Sequence, residues 1–73
     1  MVFSRREEQV LRLLLKGGTN KEIADALVIS EKTVKHYMSI LMQKLNVRNR
    51  LEVVLAAQSL EQMDARMPQH SLN

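Results

Sequence analysis

The chain has no cysteine and no tryptophan, a single proline, two glycines, and only one phenylalanine and one tyrosine among its 73 residues. Without cysteine, neither a disulfide framework nor a thiolate metal site is available. With Phe3 and Tyr37 as the only aromatics, the chain lacks the stacking platforms on which single-stranded RNA is read. No apolar run approaches the roughly 18 residues of a membrane span. The opening "MVFSRREEQ" also lacks the apolar core of a signal peptide. No stretch shows the alternation of a half-buried strand. Nor is there a nucleophile with a base, a metal-ligand cluster or a phosphate-cradling glycine loop. These readings lead us to expect a soluble, intracellular chain with no disulfide framework and no cofactor, and they give almost no support to an enzyme.

What remains is a short chain, 45% hydrophobic and 26% charged, with a formal net charge of +3. That balance is globular, and a chain of this length forms one domain of small stability margin. The charge is unevenly spread. Residues 1 to 29 carry five basic and four acidic groups, and residues 51 to 73 carry one basic and three acidic. Between them, residues 30 to 50 set Lys32, Lys35, Lys44, Arg48 and Arg50 against the single Glu31, five minus one, or a local +4. A patch of this kind is the footprint expected for a polyanionic partner, although a merely solvated face would look alike from charge alone.

Local signals divide the chain into four helices. Ser4 with Glu7 three residues later forms a capping box before the stripe Val10, Leu11, Leu14 and Leu15, and Gly17-Gly18 ends that helix. Thr19 with Glu22 opens a short second helix, Ser30 caps a longer third, and Asn49 caps a fourth. The expected spans are 5–16, 20–27, 31–45 and 50–60, an all-α four-helix bundle over residues 1–60. The polar tail 61–73 is expected to fray.

The second and third helices, joined by "LVIS", have the organisation of a helix-turn-helix. Ala24 sits where the helices approach closely, Leu27 and Ile29 bracket the turn, and Val34 and Tyr37 anchor the third helix from beneath. Val28 stands where such turns often use glycine for positive φ, so this turn either avoids that conformation or carries strain. At about 100° per residue, Lys32, Lys35, His36, Ser39 and Gln43 share an arc of roughly 100° that contains no carboxylate, while Val34, Tyr37, Leu41 and Leu45 lie on the other side. Such an arc suits phosphate oxygens and the acceptor-rich base edges of a major groove.

In order and spacing, the stretch "FSRREEQVLRLLLKGGTNKEIADALVISEKTVKHYMSILMQKLNVRNRLEVVLAA" resembles the LuxR/NarL-type (LuxR/FixJ family) DNA-binding domain of bacterial transcription regulators. The signature elements are the arginine-glutamate helix start, a glycine before "NKEIA", "IS" followed by "TVK", and a closing "KL.V..R.E". The resemblance implies sequence-specific binding of double-stranded DNA, with the third helix as reading helix and the fourth as dimerisation helix. It implies the output domain of a regulator, alone or behind a receiver or sensor domain, working in the cytoplasm on the nucleoid, with RNA polymerase as a further partner. Carried over by position, Lys32, Lys35, His36 and Ser39 are the base-reading candidates. Thr19, Asn20, Lys21, Thr33, Lys44, Arg48 and Arg50 are the phosphate-contacting candidates. Tyr37 replaces a histidine usual in the family, a packing change with its hydroxyl directed to a backbone group or a phosphate.

The fourth helix carries apolar residues at 51, 53, 54, 55, 56, 57 and 60, too many for one buried stripe. With Val53, Val54 and Ala57 turned inward, Leu51, Leu55 and Gln58 form a second face for a symmetric dimer, unless both leucines pack against the first helix. The rival function is a helical interaction module that docks another protein through the Leu51/Leu55 face and never touches DNA.

Overall fold

The computed structural model of the protein describes residues 3–60, and among these there are four helices and no strand. They are α1 (Arg5–Leu15), α2 (Asn20–Leu27), α3 (Glu31–Leu45) and α4 (residues 50–60). The expected fraying of residues 61–73 lies outside the described residues.

Each helix begins where a side chain satisfies the orphan N–H groups of its first turn. Ser4 Oγ accepts from Glu7 N at 3.2 Å while Glu7 Oε1 accepts from Ser4 N at 2.9 Å. Thr19 and Glu22 repeat the exchange at 3.1 and 2.8 Å. Ser30 Oγ accepts from Thr33 N at 3.0 Å. Asn49 Oδ1 accepts from Glu52 N at 2.9 Å, with Glu52 Oε1 reaching back to Arg48 N at 2.7 Å. Caps of this type are each worth about 1 kcal/mol, and four of them matter in so small a domain.

The first three helices also end alike, on a residue in the left-handed region: Gly17 (φ 88°), Val28 (φ 57°) and Asn46 (φ 56°). At each, two N–H groups fold back on the last turn. Gly17 N and Gly18 N reach Leu14 O and Leu13 O, Val28 N and Ile29 N reach Asp25 O and Ala24 O, and Asn46 N and Val47 N reach Gln43 O and Met42 O. This reversal stops α1 at Leu15, one residue before the expected end, because Lys16 (φ −81°, ψ 1°) has already left helical geometry. The turn at Val28 does adopt positive φ, so a β-branched residue occupies a conformation suited to glycine.

The core takes Val10, Leu11 and Leu14 from α1, Ile23 and Ala24 from α2, Val34, Met38 and Leu41 from α3, and Val53 and Ala57 from α4. Tyr37 and Leu45, expected beneath α3, are half-buried and pack on the edge of this cluster. Met38 takes the deep place, because it lies one turn beyond Val34 on the line that faces α1 and α2. Its unbranched side chain suits an irregular gap between three helices. α3 packs against both α1 and α2, which leaves its opposite side outward. No described helix is long and apolar enough to cross a membrane.

Candidate nucleic-acid interface

The outer side of α3 carries Lys32, Lys35, His36, Ser39 and Gln43, and all five are exposed. The helix is held from below by Val34, Met38 and Leu41, so the outward arc is presented by a rigid support. Glu31, at its first turn, is exposed as well. Ser39 Oγ donates to Lys35 O at 3.2 Å, so its single proton is used within the helix and its oxygen faces outward as an acceptor. The His36 and Tyr37 rings lie tilted at 56° with centroids 6.2 Å apart.

A second set of polar groups lies around the start of α2 and the ends of α3. Thr19 and Lys21 are exposed and Asn20 is half-buried. Thr33 is half-buried, with its hydroxyl 2.9 Å from that of Ser30. Arg48 is exposed beyond the end of α3.

Two cations expected to project toward phosphate have partners within the domain. Lys44 Nζ lies 2.6 Å from Glu7 Oε1 and 5.8 Å from the centre of the Phe3 ring. Glu7 is buried on the apolar face of α1, so its carboxylate needs this partner. The Lys44 ammonium and the Ser4 backbone N–H both favour the ionised form and hold the Glu7 carboxyl below its ordinary value of 4.5. Arg50 Nη1 donates to Asn20 Oδ1 at 2.7 Å, and Nη2 donates to the Gly18 carbonyl. A guanidinium at a helix start is unfavourable for the helix dipole, and here internal acceptors offset that cost. The Glu7–Lys44 pair was missed in the sequence, although a carboxylate at 7 on the same stripe as Leu11 and Leu14 was a sign that it would be buried.

On α4, Val53 and Ala57 are buried and Val54 is half-buried. Leu51 and Leu55 are 67% and 56% exposed, and Gln58 is exposed beside them. The leucines therefore do not pack against α1.

The pattern of the bacterial regulatory proteins of the luxR family matches residues 1–57, which include the caps, the turn and the outward arc. The chain belongs to the luxR family. This luxR-family domain is 46% identical over 54 residues to the spore germination protein GerE of Bacillus subtilis (strain 168), covering 74% of this chain and 73% of that protein. It is 46% identical over 54 residues to the transcriptional regulatory protein DegU of Brevibacillus brevis, covering 74% of this chain but 23% of DegU. The domain thus spans about a quarter of the length of some of its relatives. In three dimensions it is similar to the response regulator ComA DNA binding domain, seen in complex with the anti-activator RapF. That likeness has a TM-score of 0.75 and 42% identity, over 78% of this chain and 98% of that one.

Proposed function

We propose that this luxR-family domain binds double-stranded DNA sequence-specifically in the regulation of transcription, with α3 in the major groove. One observation carries the reading: an outward arc of lysine, histidine, serine and glutamine on a helix whose other side is locked into the core. Lys32, Lys35 and His36 supply donors for guanine O6 and N7. Ser39, its proton engaged, accepts from an adenine or cytosine amino group. Thr19, Asn20, Lys21, Thr33 and Arg48 flank the arc and meet phosphates. Lys44 and Arg50 serve this surface mainly by holding its scaffold, since their cations have internal partners.

The exposed Leu51, Leu55 and Gln58 face supports a homodimer through α4. A two-fold pair would set two α3 helices against half-sites about one helical turn apart. A cytoplasmic place on the nucleoid and contact with RNA polymerase belong to the same reading. Selection from random duplexes, followed by affinity measurement across a salt series, tests it. A selected site with steeply salt-dependent affinity is expected.

The second reading, docking of another protein through the α4 face, draws support from the same exposed leucines and from the protein-bound state of the ComA domain. It predicts a protein complex insensitive to salt and no duplex enrichment in the selection.

A further inference from the structure

The guanidinium of Arg50 joins two segments that are remote in sequence, through Asn20 Oδ1 at 2.7 Å and the Gly18 carbonyl. Gly18 is closely hemmed in. Its N–H is bonded to Leu13 O at 3.0 Å, and a Cβ on it would stand 3.0 Å from Leu13 O and 3.3 Å from Ile23 Cγ1. The α1–α2 connection is therefore fixed on one side by backbone and on the other by a side chain from the first turn of α4.

Chemistry then sets the orientation of Asn20. A guanidinium has donors only, so the amide oxygen must face it, and the two Nδ2 hydrogens point away. Asn20 opens α2 between the exposed Thr19 and Lys21. We propose that Arg50 is a positioning residue for the DNA backbone: it fixes the polarity of the Asn20 amide so that a donor is presented to phosphate, while its own charge stays within the domain. The inference rests on the DNA-binding reading and deepens it.

The test compares the parent chain with Arg50→Lys, Arg50→Met, Asn20→Ala and the Arg50→Met/Asn20→Ala double variant. Affinity for a duplex recovered from the random pool is read by fluorescence anisotropy across a salt series, at a temperature where circular dichroism finds each variant folded. Arg50→Met should weaken binding about tenfold, the scale of one hydrogen bond to a charged group, and Arg50→Lys, still a donor but without the two-pronged reach, should lose less. The slope of log affinity against log salt should be unchanged. In the Asn20→Ala background the Arg50→Met loss should largely vanish.

A slope reduced by about 0.9 in Arg50→Met would make Arg50 itself the phosphate contact and overturn the proposal. So would additive losses, or affinity equal to the parent in both Arg50 variants. If the Arg50 variants do not fold, Asn20→Asp decides. It keeps an oxygen for Arg50 but replaces the outward donor by a carboxylate, so binding should fall at least as far as in Asn20→Ala. Retained affinity would refute the assignment. A parent that binds no duplex removes the DNA-binding reading as well, whereas a binding parent with indifferent variants removes this inference alone.

Discussion

Val28 offers a sharp test of the backbone physics. Its φ of 57° and ψ of 49° place a β-branched residue in the left-handed region, at a strain of about 2 kcal/mol. The side chain is 90% exposed, so deleting it forfeits only about 0.2 kcal/mol of burial. Glycine at this position removes the strain but gives the unfolded chain more freedom, at a cost of about 0.8 kcal/mol. The balance for Val28→Gly is a net stabilisation of about 1 kcal/mol. In a domain of this size that raises the melting temperature by about 4–8 °C. Thermal unfolding followed by circular dichroism, with a urea titration to check that the m-value is constant, reads the change. Val28→Asn should recover part of it, since asparagine tolerates the left-handed region. Val28→Ala, which keeps a Cβ there, should recover less. A Val28→Gly protein that melts at or below the parent temperature would refute the argument.

On a selected operator, Lys35→Ala should lose about 1–3 kcal/mol and relax preference at one base pair, measured by a panel of single-base operator variants. Arg48→Ala should weaken all duplexes alike and reduce the salt slope by about 0.9, which anisotropy at several salt concentrations will detect. Leu55→Asp should abolish any self-association of the parent in equilibrium sedimentation, and unchanged association would count against the α4 face. Glu7 has a depressed folded pKa, so the stability it confers is present above its ordinary value of 4.5 and is lost as pH falls through the lower folded value. Glu7→Gln should therefore flatten the acid limb of a melting-temperature profile, and an identical acid limb would exclude that role.

The helix starts were legible because their causes are local. Ser4 with Glu7, Thr19 with Glu22, Ser30 and Asn49 each act within one turn of themselves, and such patterns can be read without knowing the fold. The exposure of the α3 arc and of Leu51 and Leu55 was legible for a related reason. Helical periodicity assigns faces, and α4 has more apolar residues than one face can hold. Met38 was not picked out from the sequence, because the deep line of α3 is set by where α1 and α2 press against it. The internal pairing of Lys44 and Arg50 was hidden for a stronger reason. Their partners, Glu7 and Asn20, lie 37 and 30 residues away, and no local pattern encodes an approach over such a separation. The turn at Val28 showed the tension but not its outcome, because a torsion angle is settled by the two helices it joins.

The division of α3 into a buried line and an outward arc makes the helix a replaceable key in a fixed lock. On the proposed DNA-binding reading, exchanging Lys32, Lys35, His36 or Ser39 would change what is recognised while leaving Val34, Met38 and Leu41, and with them the architecture, untouched. A single scaffold of this kind can be given many addresses in a genome without having to learn to fold again.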